Sequence, residues 1–549
     1  MKKLLAILLS AVLTLSALCC FAETLTGEAD GFGGPIVAEV TVEDGKITGL
    51  TLTGNQETPA LGGAALPTLA EAILAAGTVD GVDGVAGATW TSNGVFAAVK
   101  NALGVVEETA EAAVSETSAS GLYSGIGIAA TPRLGPGSDD QGTPVYSFNV
   151  VIAYVLSDEE GRIVDLETDI VEIITPNHDD MEDNMLAGWP GFSYNLDSDA
   201  DGVVDGVLEE TEEYFTESLQ AWKTKRQKGN AYKLNSGTWE SEMDIFEEAF
   251  KGMTMEDLSA FVARCTSDVN GRPLNGISTN EADVAKRAAL SEEDLALIDT
   301  MAGATISLTD AHGNVIDAIE NAFAAMKPVT VEEDIASLGL GVAVTPRLGP
   351  GSDDQGVPVY SFNVVTAGAA YTADGKVASL SCDILEIITP NHDGADDNIF
   401  AGWPGQSYNS DADADGVVDG VIEQTGESFT EAVKAYTSKR ALGSKYKMSS
   451  GTWVGEMSIF EGYFEGKTTE EIDAFFAKYG SAANGRVIRE TSTKEEDIAV
   501  WSTFTDAEKA EVDALAGATM SLKDAHGDLI GAIDAAQAVA KPSVIHITK

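Results

Sequence analysis

Apolar and polar residues alternate from Val37 to Thr53 on either side of Asp44-Gly45, the pattern of a β-hairpin with a tight turn. Leu66–Ala76 and Val95–Leu103 instead carry apolar residues at helical spacing. A stretch at 105–121, rich in Ala, Glu, Ser and Thr, reads as a linker. The strand pattern then returns at Val145–Val155 and Ile163–Ile170, joined by Asp158-Glu159-Glu160-Gly161. Helical spacing follows at Glu240–Phe250, Met255–Arg264 and Asn314–Met326. Strands first and a helix last predict an α+β fold.

An internal repeat organises most of the chain. Thr131-Pro132-Arg133-Leu134-Gly135-Pro136-Gly137-Ser138-Asp139-Asp140-Gln141 recurs verbatim at 345–355, an offset of 214 that also relates His178 to His392, Trp189 to Trp403 and Trp239 to Trp453. A period of this length describes whole domains, not solenoid units. The predicted organisation is three tandem domains: a small one at 24–104 and two enlarged near-identical ones at 122–327 and 336–541.

Residues 1–22 have the features of a signal peptide. Lys2 and Lys3 precede an apolar run, and Cys20-Phe21-Ala22 puts small residues where a signal peptidase reads them. A lipoprotein reading through Cys19 or Cys20 is the alternative. Either way the expected location is secreted or at the extracytoplasmic cell surface. The 549-residue chain carries a net charge of −55, which repels phosphate backbones and argues against nucleic-acid partners. Cys265 and Cys382 are the remaining cysteines and read as buried or idle thiols; there is no CxxC metal pattern and no GxGxxG after a strand.

One string closes all three domains: Asp83-Gly84-Val85-Ala86-Gly87-Ala88-Thr89-Trp90-Thr91-Ser92, Asp299-Thr300-Met301-Ala302-Gly303-Ala304-Thr305-Ile306-Ser307, and Asp513-Ala514-Leu515-Ala516-Gly517-Ala518-Thr519-Met520-Ser521. Gly87-Ala88, Gly303-Ala304 and Gly517-Ala518 carry almost no side chain, so a bulky group can approach the backbone. A threonine hydroxyl follows, expected just before a helix N-terminus whose free N–H groups and dipole favour a phosphate. The upstream Asp83, Asp299 and Asp513 are candidates to hold a metal or orient that hydroxyl. The ligand-free alternative is a tight, capped turn into a helix.

Residues 30–103 resemble the small FMN-binding domain of the periplasmic flavin subunits of the sodium-pumping NADH:quinone reductase (its C subunit) and of the Rnf complex (its G subunit). Gly33-Gly34-Pro35-Ile36, the hairpin at Asp44-Gly45-Lys46-Ile47, Glu57-Thr58-Pro59 and Gly87-Ala88-Thr89-Trp90-Thr91-Ser92 carry the resemblance. It departs at Ala86, where Ser or Thr is usual. It implies FMN joined through its phosphate to Thr89, attached from FAD by an extracytoplasmic flavin transferase that recognises Asp83, with Glu57, Thr58 and Ser92 in the site. The enlarged repeats lack Glu-Thr-Pro and resemble versions in multi-flavin proteins of extracellular electron transfer, implying acceptors at Thr305 and Thr519. The implied function is a secreted carrier of up to three covalent FMN groups, with no catalytic residue of its own. It would relay electrons from a membrane donor to an extracellular acceptor or reductase. The alternatives are calcium-binding surface or adhesion modules without flavin, and a dedicated extracellular flavin-dependent reductase.

Other features compete for function. Asp197, Asp199, Asp201 and Asp205, with their copies Asp411, Asp413, Asp415 and Asp419, have the spacing of an EF-hand-like Ca2+ loop around Gly202 and Gly416. Position twelve is Leu208 or Ile422 instead of the bidentate Glu such loops use. His178 and His392, and Trp189 and Trp403, are candidate flavin contacts, against the simpler reading of loop packing. His312 and His526 are expected in the first turn of the last helix, and His546 in a tail.

Overall fold

The hairpin and helices expected in the first 104 residues assemble into a three-stranded antiparallel sheet with two helices on one face. The computed structural model describes residues 23–30, 34–43, 46–55, 62–79, 82, 84–85, 88–104, 117–119 and 121–547, except positions 136, 179–182, 235–236, 331–332, 350, 393, 395, 412 and 449. Residues 1–22, expected to be a signal peptide, lie outside them. Strands β1 (Glu23–Asp30), β2 (Pro35–Glu43) and β3 (Lys46–Thr53) pair in that order. Ile36, Ala38 and Val40 alternate into the core, where α1 (Gly62–Ala76) and α2 (Thr89–Ala102) cover them. The strand β1, which the pattern analysis did not anticipate, holds Gly27 under α2; a Cβ there would overlap the backbone of Ala98 and Ala102.

The chain divides into two units, 1–113 and 114–549, so both long repeats lie in one unit. The end of the expected linker forms a short strand, β4 (Thr117–Ala119). In the first repeat β5 (Tyr123–Arg133), β6 (Ser147–Ser157) and β7 (Ile163–Ile174) form an antiparallel meander, followed by helices that include α3 (Glu212–Ala221), α4 (Trp239–Phe250) and the closing α5 (Val315–Ala324). The second repeat follows the same plan with β8 (Ile335–Arg347), β9 (Ser361–Thr372), β10 (Val377–Ile388), α6 (Gly426–Lys434), α7 (Trp453–Phe464) and α8 (Leu529–Ala538). The tail then returns as β11 (Lys541–Ile547), pairing with β8 and in parallel with β4.

Every residue of β6 is buried, because the strand is covered on both faces. Its odd positions Val151, Ala153 and Val155 pack with α4 and α5 of the same repeat. Its even positions Phe148, Val150, Ile152 and Tyr154 enter a core shared with Phe362, Val364, Leu385 and Trp403 of the second repeat. The period-2 alternation thus sorts one strand between two cores. The result is four layers: helices, sheet, sheet, helices. At the sheet–sheet contact, Ser124 and Ser379 hydroxyls lie 2.7 Å apart.

The contact is reciprocal. Lys327 of the first repeat pairs with Glu461 at 3.1 Å; its counterpart Lys541 stands 3.9 Å from Glu247, the counterpart of Glu461, and pairs with Asp244 at 2.6 Å. The closing helices sit as α2 does in the small unit: a Cβ at Gly127 would overlap Ala318 and Ala322 of α5, and one at Gly341 would overlap Ala532 and Ala536 of α8. The same glycine-to-alanine seam therefore recurs three times. Among the described residues no helix is long and apolar enough to cross a membrane.

Candidate functional site

In the small unit Thr89 is the first residue of α2. Its N-cap, Ala88, is buried and offers no side-chain oxygen to cap the helix. Ser92 is buried; its Oγ donates to Ala88 O at 2.8 Å and accepts from Val85 N–H at 3.0 Å. It braces the turn that delivers Thr89. Glu57, Thr58, Asp83 and Gly87 lie outside the described residues.

The long repeats arrange the same string differently. A hairpin, Thr309–Asp310 with Gly313–Asn314, intervenes between the motif and α5, so Thr305 does not stand at a helix N-terminus as expected. His312 lies in that hairpin's turn, not in the helix, with Nδ1 2.9 Å from Asp310 Oδ2; His526 is held likewise by Asp524 at 3.0 Å. Gly303 and Gly517 adopt φ of +104° and +98°, which side-chain-bearing residues avoid, while Ala304 and Ala518 are buried. Asp299 and Asp513 end the preceding helices, Glu292–Thr300 and Asp506–Asp513, and are exposed.

A carboxylate fills the place a helix terminus would have taken. Glu242, on the first turns of α4 and only 1% exposed, accepts from Thr305 N–H at 2.5 Å, Ile306 N–H at 3.0 Å and Thr305 Oγ1 at 3.0 Å. Glu456 on α7 does the same for Thr519 N–H (2.6 Å), Met520 N–H (2.9 Å) and Thr519 Oγ1 (3.1 Å). Ser450 Oγ adds a contact to Thr519 Oγ1 at 2.8 Å.

Met520 and Ser521, directly after Thr519, line a cleft of about 470 Å³. Its wall presents Tyr446, Trp453 and Met448, an apolar and aromatic surface, and its rim presents Lys445, Lys447 and Arg486, all exposed. Arg347 and Lys439 reach it from below, paired with Glu386 at 3.2 and 2.9 Å. Although burial opposes it, Lys439 and Arg347 hold the Glu386 carboxyl down at about 2. Lys439 Nζ and the Arg440 guanidinium stand 5.3 and 5.9 Å from the ring centroids of Tyr446 and Trp453. The first repeat carries the same set: Lys225 over Tyr232 at 5.1 Å, Arg226 over Trp239 at 5.7 Å, and Arg133 3.3 Å from Glu172. Asp396 and Asp397 line the Thr519 cleft as well. A cleft of this size, with an aromatic wall and Lys445, Lys447 and Arg486 at its rim, fits an anionic aromatic group such as FMN.

Residues 31–104 belong to the FMN-binding domain family. A chlorophenol reductase from Desulfitobacterium hafniense is 32% identical over 190 residues, which cover 33% of this chain and 52% of that protein. The chain therefore spans about half the length of this curated relative. Thr89 lies within the matched residues, at the head of the last helix.

The aspartate loops form a separate cluster of carboxylates. One carboxylate oxygen each from Asp197, Asp199 and Asp201 lie within 4.8 Å of one another, as do those from Asp411, Asp413 and Asp415. Asp205 instead accepts from Ser198 Oγ at 2.6 Å, and Asp419 closes its loop by a main-chain bond to Ser410 O at 3.1 Å. The repeated Asp140 and Asp354 brace the loops, accepting from Val204 and Val418 N–H at 3.0 and 2.9 Å. Asn177, 3% exposed, lines a small cavity with Asp197; its Oδ1 and that of Asn391 have no hydrogen-bond partner.

His178 lines that cavity and pairs with Asp183, whereas Asp397, 2.5 Å from His392 Nδ1, lines the larger cleft. Trp189 and Trp403 are fully buried in the core between the repeats and lie away from the cleft. The aromatic wall comes from Tyr446 and Trp453 instead, which motif reasoning missed. Their signal was present as a basic and aromatic run, Lys439-Arg440, Lys445-Tyr446-Lys447 and Trp453, in a chain otherwise dominated by acids. Cys265 and Cys382 are buried, and burial pushes the Cys265 thiol up to about 11.

Proposed function

We propose that the protein is an extracytoplasmic flavin electron carrier with FMN phosphoester-linked to Thr89, Thr305 and Thr519. The observation that carries this reading is the aromatic cleft with a cationic rim beside Thr519, in a chain whose residues 31–104 match the FMN-binding domain; in the first repeat Lys225–Tyr232 and Arg226–Trp239 recur, while Lys445 is replaced by Ala231. Tyr446 and Trp453 would flank the ring system, while Lys445, Lys447 and Arg486 would attract its negative charge. Bound FMN supplies one- and two-electron transfer; the chain supplies attachment, a partly dry ring site and fixed charge. The enlarged repeats are thus read as FMN-binding-type domains. They are matured by a flavin transferase, fed by a membrane donor and drained by an extracellular acceptor.

The test is intact mass after co-expression with a flavin transferase. Each substitution Thr89→Val, Thr305→Val and Thr519→Val should remove one FMN. The triple variant should carry none; full acid-stable flavin on it would refute the assignment.

The similarity to a chlorophenol reductase supports a second reading, a flavin-dependent reductase of one small acceptor. Turnover of a single acceptor by the flavin-loaded chain, without a further protein, would favour it. The aspartate loops are proposed to bind one Ca2+ each, as supports for their repeats and not as redox centres. The converging carboxylates and the unpartnered Asn177 and Asn391 oxygens support this.

A further inference from the structure

We infer that Glu242 and Glu456 are the general bases for flavin attachment at Thr305 and Thr519, an inference that rests on the flavin reading above. A threonine hydroxyl is a poor nucleophile until its proton has somewhere to go. Here both carboxylate oxygens approach the reacting atom: Glu242 Oε2 and Oε1 lie 3.0 and 3.2 Å from Thr305 Oγ1, and Glu456 Oε2 and Oε1 lie 3.1 and 3.3 Å from Thr519 Oγ1. The hydroxyl has one proton and donates it to the carboxylate, so its lone pairs face away from the glutamate.

The carboxylate is not free to wander. Two main-chain N–H groups on each motif hold one of its oxygens, and the helix that carries Glu242 is fixed by a reciprocal Thr238–Ser241 cap. Glutamates are seldom buried this deeply, yet both are at most 2% exposed, and they occupy equivalent positions 214 apart. A surface acid on an amphipathic helix would explain neither the burial nor the shared target.

Thr Oγ1 forms a bond to the FMN-side phosphorus of a flavin adenine dinucleotide held by the transferase. The pyrophosphate P–O bond breaks, AMP leaves with its electron pair, and the hydroxyl proton passes to the glutamate, which returns it to water. Afterwards the carboxylate keeps its two main-chain donors, so the motif holds its shape around the new ester. The competing idea is that the glutamate merely plugs an anion nest and keeps phosphate out; removing the carboxylate would then speed attachment.

The test uses the full chain, purified without flavin and incubated with a flavin transferase, FAD and Mg2+, with labelling at each threonine followed by peptide mass. Glu242→Gln should slow labelling of Thr305 about a hundredfold or more, while Thr519 in the same molecule labels at its normal rate and reports that the unit is folded. Glu456→Gln should give the mirror result. Glu242→Asp, which withdraws the carboxylate by one methylene but keeps it, should fall between. Labelling of Thr305 in Glu242→Gln at the wild-type rate or faster overturns the inference. Absence of label on both repeats of the wild-type chain overturns the flavin reading of the repeats itself, and this inference with it.

Discussion

Trp189 and Trp403 are the same residue of two repeats, and each donates its indole N–H to a main-chain carbonyl of the other. Trp189 Nε1 bonds Phe400 O at 2.5 Å and Trp403 Nε1 bonds Leu186 O at 2.6 Å. Leu186 and Phe400 are themselves 214 apart, so the bond is exchanged as it would be across the two-fold axis of a dimer. The rings follow the same exchange: Trp189 packs at 5.8 Å against Phe362, and Trp403 at 5.8 Å against Phe148, each pair tilted by 44°. Where the axis leaves room for one ring only, Tyr154 occupies it and its counterpart is Gly368, at which a Cβ would overlap that ring.

Replacing Trp189 or Trp403 by Phe should cost about 2–4 kcal/mol each, from an unsatisfied buried carbonyl and lost volume. The two costs should be alike, because the environments are. Urea unfolding of 114–549 should show one transition for both repeats, and strongly unequal costs would contradict the exchange.

The glycine seams predict a different failure. At Gly127 and Gly341 a methyl meets helix backbone, which cannot rotate away. Gly127→Ala and Gly341→Ala should each destabilise the large unit by about 1–3 kcal/mol or more. Gly27→Ala should do so only in the FMN-binding domain, which melting of the two units followed separately would resolve.

The sequence pattern located β6, β7, α4 and the closing helices to within a few residues because their apolar spacing is unbroken. It missed β5, whose Gly125, Gly127 and Pro132 interrupt the alternation; those glycines are present for the helix above, not for the strand. It marked Trp189 and Trp403 as possible ring contacts, because hydrophobicity tells that a residue is covered but not by what. Glu242 and Glu456 were invisible as site residues, since an acid on an amphipathic helix reads as solvated. The expectation of a helix directly after Thr305 failed because the two-residue strands of the intervening hairpin are too short to show a period.

Glu167, 7% exposed, makes the large unit sensitive to alkali. Burial and then the Glu247 charge raise its carboxyl to about 8, against Arg226 and Lys541. Between about 4.5 and 8 the folded chain therefore binds more proton than the unfolded one. Stability from this group is complete below about 4.5 and is lost as pH rises to 8. Glu167→Gln should gain on the wild type over that window, on the order of 1–3 kcal/mol. Glu172 and Glu386, held at about 2, act oppositely: their contribution is present above about 4.5 and is lost as pH falls toward 2. Urea titrations at pH 5 and pH 8 are the check, and an unchanged difference between Glu167→Gln and wild type would contradict it.

The aspartate loops predict a response to chelation. The Asp201 charge pushes the Asp199 carboxyl up, as expected of acids crowded together without a cation. Ala200 and Ala414 both take φ of 56°, bending the loops so that alternate carboxylates converge. At Ca2+ a hundredfold above its Kd, binding should add about 2.7 kcal/mol per loop. Calorimetry with and without EDTA should show a lower Tm after chelation, reduced in Asp199→Asn and Asp413→Asn. Identical curves, with no calcium by elemental analysis, would remove the site.

Lys445, Lys447 and Arg486 have no purpose in the core, being exposed, yet they gather where the chain's other surface is acidic. A flavin bound there gains negative charge on reduction, so these cations favour its reduced form and raise its potential. Each is solvated, and an exposed charge interaction is worth about 0.2–1 kcal/mol. For a two-electron couple that is roughly 5–20 mV per residue. The triple substitution Lys445→Gln, Lys447→Gln and Arg486→Gln should therefore lower the potential of the Thr519 flavin by tens of millivolts at low salt, and by less as salt screens the cations. The Thr305 flavin, in the other repeat, should stay where it was. Spectroelectrochemical titration of chains carrying one flavin each measures both; an equal shift at the two sites, or none at Thr519, would show that the cleft is not where that ring lies.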